Sequence, residues 1–448
     1  MHIHFIAVGG AIMHQLAIAL HLKGYTVTGS DDEITDPART NLRHYGLLPL
    51  AYGWFPEKIT GQLDAVILGM HAKEDNPELK KAREAGIPVY SFPEYMYEAS
   101  RDKKRVVVAG SHGKTTTTSM IMHVLRDQQM DFDYLVGARV EGFEHSVRIS
   151  EAPVLILEGD EYPASVIEKR PKIHFYHPQV SVLTGIAWDH VNVFPTFEQY
   201  KEQFAIYLRE METGSVLIYN AEDKEVVYLV EKEASHLKLM PYVTPNFKVT
   251  DNAVVLNTSE GKVNLQIFGS HNLQNMEAAR KVCNILGISD AGFYRSIAGF
   301  SGAARRLEKI TEREGFIAYR DFAHAPSKLK ATLSAVRERF PGHELIACFE
   351  LHTFSSLNSA FLKEYAHTMD PADHGALFFS AHALELKGLP PLDPVEVKQH
   401  FANDKLAVFE QKDALEAWIR EAAGKSDRPV CLLLMSSGTF DGMDLSSF

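Results

Sequence analysis

An α/β protein of three successive domains is what the sequence predicts: a Rossmann-like N-terminal block, a central P-loop block and a second Rossmann-like block at the C-terminus. The prediction rests on a β-α-β pattern that opens the chain, a strand-to-helix corner around Gly110 to Thr118, and strands alternating with helical patterns beyond Ala303. At 448 residues the chain is too long for one ordinary core, and domains of roughly 100 to 200 residues follow. The expected limits are 1–102, 103–302 and 303–448.

In the first block, the apolar run Ile3 to Val8 precedes Gly9-Gly10, then a helical pattern through Met13, Leu16, Ala17 and Leu20 ends near Gly24. A second strand, Tyr25 to Thr28, leads into Gly29-Ser30-Asp31, which places an acid where a nucleotide-binding half-sheet meets a ribose hydroxyl. The glycine fingerprint is incomplete, so a dinucleotide cofactor is poorly supported. Ala65 to Gly69 supplies another strand, and the helix and strand from Leu79 to Tyr90 complete the block. The polar stretch Ala99 to Lys104 predicts a linker.

The central block starts with the β-branched strand Arg105 to Ala109, the loop Gly110-Ser-His-Gly113-Lys114-Thr115, and a helix spanning Thr116 to Gln128. Backbone N–H groups at such a corner face an anion, the Lys114 ammonium reaches the terminal phosphates, and the Thr115 hydroxyl ligates magnesium. ATP use is therefore expected. Val108 occupies the first glycine position of the common pattern, and a chance Gly-turn is the alternative that the flanks disfavour. Two further strands, Val154 to Leu157 and Val180 to Leu183, run into Glu158-Gly-Asp160-Glu161 and into Thr184 to Asp189-His190. In one parallel sheet these ends share an edge, which would bring Glu158 and His190 toward Thr115 and a metal; solvated strand-end acids are the alternative. Gly269-Ser-His271-Asn272-Leu-Gln-Asn275 precedes an expected helix from Met276 to Leu286. Its two Asn side chains share a face, where they suit either an adenine edge or an N-cap.

The third block contains Arg305-Arg306-Leu307-Glu308, Asp321-Phe-Ala-His324-Ala-Pro326, and strands at Leu345 to Phe349, Ala376 to Phe379 and Val430 to Leu434. The formal charge of -12 argues against a nucleic-acid partner. Three separated cysteines, Cys283, Cys348 and Cys431, favour neither a disulfide framework nor a zinc site. A reducing cytoplasm is expected, with no signal peptide and no membrane insertion.

Taken in order, these motifs resemble the Mur ligase family of ATP-dependent amide-forming enzymes, over essentially the whole chain. The matching segments are Gly110 to Thr116, Glu158 to Glu161, Asp189-His190, Gly269 to Asn275, Arg306 to Glu308 and Asp321 to Pro326. The resemblance implies a UDP-sugar domain, a central ATPase domain and a C-terminal domain for the incoming amino acid or peptide. It departs at Gly185, where the family has Asn, at Arg320, which replaces an acid, and at the thinned Gly9-Gly10.

By the same resemblance, Lys114 and His190 are expected to be catalytic. ATP is assigned to Gly110, Gly113, Lys114, Thr115, Thr116, His271, Asn272, Asn275, Arg306 and Asp321, and Mg²⁺, two ions by family analogy, to Thr115, Glu158 and His190. Gly9, Gly10, Ser30, Asp31 and His71 are candidates for the UDP-sugar, although Ser30, Asp31 and His71 each also suit a helix cap. His352, Thr353, Ser436 and Ser437 are candidates for a murein peptide. Arg306 also suits a surface ion pair with Glu308, and His324 either a structural or a ligand-contacting role. Phe204 stands where several members carry a carbamylated lysine, as in members that act directly on UDP-N-acetylmuramate. Glu350 and the segment Leu434 to Gly442 are similar to the peptide-adding branch, with L-alanine addition or a silent sugar-nucleotide-binding regulator as alternatives. A monomer or weak homodimer is expected.

Overall fold

A computed structural model gives the structure and describes residues 1–165, 167–250, 253–445 and 448. The chain folds into two compact units. One contains Met1–Ile186, Lys201–Tyr242 and Ala278–Ser289, and the other Ala187–Tyr200, Val243–Glu277 and Asp290–Phe448.

The first unit carries two sheets. The smaller is wholly parallel, in the order Thr26–Ser30, His2–Ile6, Ala65–Leu68, Val89–Ser91. Ile3, Phe5, Val66 and Ile67 are fully buried, as strands covered on both faces require. The helix Met13–Leu22 turns Leu16, Ala17 and Leu20 inward and ends at Gly24, whose φ of +91° suits a residue without Cβ. Pro77–Glu84 is capped by Asn76, and Phe92–Glu98 by a capping box between Ser91 and Glu94. The stretch Ala99 to Lys104, expected as a linker, is a turn with Ser100 and Lys103 buried, and Lys104 already opens the next strand.

The larger sheet has seven strands, in the order Lys238–Tyr242, Val216–Asn220, Val180–Leu183, Lys104–Ala109, Val154–Gly159, Asp133–Leu135, Val147–Arg148. All its pairs are parallel except the last. Ala109 stands opposite both Gly159 and Leu183, so the phosphate loop, the acidic exit at Asp160-Glu161 and the exit at Thr184 leave the sheet at one edge. Beneath it, the buried Lys103 Nζ donates to Asp133 Oδ2 (2.8 Å) and to the carbonyls of Ser150 (2.7 Å) and Ala152 (2.8 Å).

The second unit holds a six-stranded sheet in the order Glu308–Arg313, Phe316–Asp321, Val430–Met435, Glu344–Glu350, His374–Phe378, Ala407–Phe409. Only its first pair is antiparallel. Cys348, Leu432, Ile419 and Leu415 lie in its core. A small antiparallel sheet, Phe247–Val249, Val254–Thr258 and Gly261–Leu265, is absent from the sequence expectation, as are the strands at 216–220 and 238–242. Lys238–Tyr242 shows why: it is an edge strand with mostly exposed positions and a proline, so it lacks the apolar run that marks a central strand.

The start of one helix differs by six residues. The helix expected from Met276 begins at Ser270, so Asn272 and Asn275 lie within it. The Asn272 side chain donates back to Phe268 O (2.9 Å) instead of capping. All three cysteines are free and buried, and no helix among the described residues is long and apolar enough to cross a membrane.

Candidate active site

The phosphate loop owes its shape to two glycines. Gly110 has φ +126° and Gly113 +78°, dihedrals that a side chain strains, and Gly113 opens the helix Lys114–Asp127. Ser111 N donates to Gly185 O (2.9 Å), and the Thr184 hydroxyl lies within bonding distance of Ala109 O (3.0 Å) and bonds His112 O. The loop is thereby fastened to the neighbouring strand exit.

Lys114 Nζ donates to Gly110 O (2.6 Å) and Glu161 Oε2 (2.7 Å), and Asp160 Oδ1 is 4.0 Å away. Burial opposes its charge, but Glu161, Asp160 and Glu158 outweigh burial and raise its pKa above the ordinary lysine value. Thr115 Oγ1 donates to Glu158 Oε2 (3.2 Å). Burial, reinforced by Asp160, pushes Glu158 up to about 7 against the pull of Lys114, the Gly137 amide and Thr115. Thr116 is buried in the first helical turn.

Among the described residues, no three His, Cys, Asp or Glu side chains form a metal cluster. Magnesium requires few protein ligands, because it keeps several waters and takes phosphate oxygens. Glu158 Oε1 is buried without a hydrogen-bond partner among the described residues, and it fits such an ion together with the Thr115 hydroxyl. His190 belongs to the second unit, so the metal set expected from the sequence is divided between units.

His190 has φ +57°, and its N–H donates to Asp189 Oδ1 (2.8 Å). Burial disfavours the Asp189 charge, yet Lys328 at 3.4 Å, with His324 and His190, holds that carboxyl well below its usual range. His324 Nδ1–H donates to Phe322 O (2.8 Å), and its Nε2 accepts from Lys328 (3.1 Å). Burial, then Lys328, lowers its pKa, against the pull of Asp189 and the Phe322 carbonyl.

Among the nucleotide candidates, His271 has its pKa lowered by burial, with Asp321 opposing, and Asn275 is buried in the same helix. Asp321 accepts from Leu307 N (2.7 Å), Ala323 N (2.8 Å) and Thr332 Oγ1 (3.2 Å). These bonds hold the turn around Arg306, whose neighbours Arg305 and Leu307 have φ +56° and +46°. The Arg306 guanidinium lies 4.6 Å over the Phe322 ring. Glu308 is bound by Arg320, at 2.7 and 3.0 Å, directly across the hairpin. The family departure at Arg320 is thus a cross-strand ion pair.

Of the sugar candidates, Asp31 Oδ2 accepts from Gly9 N (2.7 Å), and Lys58 Nζ donates to Ser30 Oγ (3.1 Å). Gly10 O accepts from His14 Nδ1 (2.9 Å), and His71 is exposed. The Gly9–Asp31 bond ties the glycine turn to the end of the second strand.

At the carboxyl edge of the C-terminal sheet, Glu350 Oε2 accepts from Ser436 Oγ and from Phe440 N (2.8 Å). His352 Nδ1 stands 3.5 Å from Glu350 Oε1, within ion-pair distance but outside hydrogen-bond geometry. A Cβ on Gly438 would meet His352 Cγ at 2.7 Å and Glu350 Oε2 at 2.9 Å. Burial opposes the Glu350 charge, and His352, Ser436 and the Phe440 amide override it, leaving a lowered pKa. Ser437 Oγ is buried without a partner among the described residues. Thr353 bonds Ser356 in a local turn. Sequence reasoning did not assign Glu161, Thr184 or Lys328 a role; only Glu161, in the Glu158 to Glu161 motif, carried a signal.

A phosphate loop with a part-buried, charged lysine and a buried carboxylate oxygen without a partner among the described residues, carried on parallel α/β sheets, defines an ATP-using enzyme. The Mur ligase middle domain matches residues 108–283, and the Mur ligase family catalytic domain matches residues 2–104. The UDP-N-acetylmuramate–L-alanine ligase of Carboxydothermus hydrogenoformans is 30% identical over 382 residues, which covers 83% of this chain and 80% of that protein. The ligase of that name from a Sulfurihydrogenibium species is 32% identical over 386 residues, covering 83% and 81%. Among solved structures, a murein peptide ligase from Psychrobacter arcticus superposes with TM-score 0.65 at 23% identity, covering 99% of this chain and 97% of that one. A UDP-N-acetylmuramate–alanine ligase from Thermotoga maritima gives 0.70 at 21%, with coverage of 99% and 97%. The chain belongs to the Mur ligase family and is an ATP-dependent ligase that forms an amide bond.

Proposed function

We propose that this chain joins the lactyl carboxylate of UDP-N-acetylmuramate to the amino group of the murein peptide L-alanyl-γ-D-glutamyl-meso-diaminopimelate, a cytoplasmic step of peptidoglycan recycling. The carboxylate oxygen attacks the γ-phosphorus of ATP, ADP leaves, and the acyl phosphate is captured by the amine. Phosphate departs and the amine loses its proton. Lys114 holds the β/γ-phosphates, and Arg306 and the Asn272 to Asn275 face take the rest of the nucleotide. His190 meets the acyl phosphate or a second ion. Thr115 and Glu158 would hold magnesium, which would supply charge neutralisation during in-line transfer. The residues 1–102, 103–302 and 303–448 serve as sugar, ATP and peptide domains.

The observation that carries the peptide assignment is the ionised, buried Glu350 with Ser436 and His352 at the sheet edge. A methyl side chain needs a small apolar pocket, whereas a peptide with an ammonium and several carboxylates needs spread polar contacts. L-Alanine addition is the second reading, favoured by the names of the curated relatives at 30 and 32% identity.

ADP release with UDP-N-acetylmuramate and Mg-ATP, measured with either the peptide or L-alanine, separates the two. A higher kcat/KM for the peptide is expected. Turnover of L-alanine in preference transfers the assignment to the second reading, and no ADP release with either would mark a silent regulator.

A further inference from the structure

Gly185 stands where the family motif carries Asn, and the first unit shows what fills that space. A Cβ built on Gly185 falls inside contact distance of His112 Cε1, 2.7 Å from His112 Nε2 and 3.1 Å from Asp223 Oδ2. The imidazole of the phosphate loop therefore occupies the place a side chain would take. Backbone conformation is not the reason for glycine here. Gly185 has no positive φ, so it does not occupy the left-handed region that favours glycine.

The surroundings leave little slack. Ser111 N donates to Gly185 O (2.9 Å), and the Thr184 hydroxyl bonds His112 O. Ile186 N donates to Asp223 Oδ2 (3.0 Å), and Asp223 also caps the helix Lys224–Glu233 through the amides of Glu225 (3.0 Å) and Val226 (3.1 Å). Gly110 is packed as closely, with its missing Cβ 3.0 Å from the Gly185 N and O atoms. The loop backbone is thus pinned to Thr184–Ile186, and a displaced ring has to move away from that segment.

We propose that Gly185 is a positioning residue for nucleotide binding: it is the seat that holds the His112 imidazole against the strand exit and so sets the shape of the loop that Lys114 completes. It acts through His112 and not by touching the nucleotide.

Calorimetric titration of the full chain with ADP in magnesium buffer tests this without any acceptor, so its outcome is independent of the peptide assignment. Gly185→Ala is expected to weaken ADP binding about ten-fold or more. In the His112→Ala background, adding Gly185→Ala is expected to change ADP affinity by less than about two-fold, because the methyl then meets no ring. ADP affinity of Gly185→Ala within about two-fold of the parent overturns the proposal. So does a further loss in the His112→Ala background as large as in the parent, which would show that glycine is needed for another reason. If Gly185→Ala alone does not fold, the double variant decides: a folded protein binding ADP like His112→Ala supports the seat, and a second failure to fold overturns it.

Discussion

Lys114 is surrounded by the carboxylates of Glu161, Asp160 and Glu158, and that setting determines what its loss does. On the proposed reading Lys114→Ala removes a phosphate donor, and it takes the ammonium at 2.7 Å away from the buried Glu161. Turnover measured as ADP release should fall on the order of 10² to 10³-fold, and near-parental turnover would remove Lys114 from the phosphate site. Asp31 gives a pH prediction. Burial pushes it up to about 6, with the Gly9 amide pulling down and Asp32 pushing up. In the unfolded chain such a carboxyl titrates near about 3.9, so between these values the folded state binds more protons and stability declines as pH rises. Asp31→Asn cannot ionise, and thermal midpoints between pH 4 and 7 should show that slope flattened. An unchanged slope would assign it to another group.

Caps and buried ion pairs such as Lys103–Asp133 hold the elements. Lys103 and Asp133 side chains are only 5% and 1% exposed, so Lys103→Met strands a carboxylate in the interior beneath the seven-stranded sheet. A loss of about 3–5 kcal/mol in urea denaturation is expected. Ser91→Ala, which removes a capping box from Phe92–Glu98, should cost about 0.5–2 kcal/mol and leave ADP release intact. The strands of the sheet centres were legible because Val106 to Ala109, Val154 to Leu157 and Val430 to Leu434 are continuous apolar runs buried on both faces. The edge strands Val147–Arg148 and Lys238–Tyr242 were not, since half-exposed edges carry little apolar periodicity. The helix at Ser270 was placed late because its polar first turn, Ser-His-Asn, resembles a cap.

Across the whole molecule, ligand binding should couple to stability. ADP with magnesium at a hundred times its Kd should stabilise the chain by about 2.7 kcal/mol, read as a rise in the unfolding midpoint, if the unfolded chain does not bind it. A midpoint that does not move at saturating ADP would contradict a formed nucleotide site. The sequence by itself determined the α/β class, the phosphate loop and its lysine, because each is encoded by neighbouring residues whose spacing specifies local geometry. Only the tertiary structure decided that Glu161 joins Lys114, that Arg320 answers Glu308, that Asp321 braces the Arg306 turn and that His112 fills the gap at Gly185. Those pairings join residues tens of positions or more apart, or across a hairpin, and sheet register and packing, not local spacing, choose which of them meet.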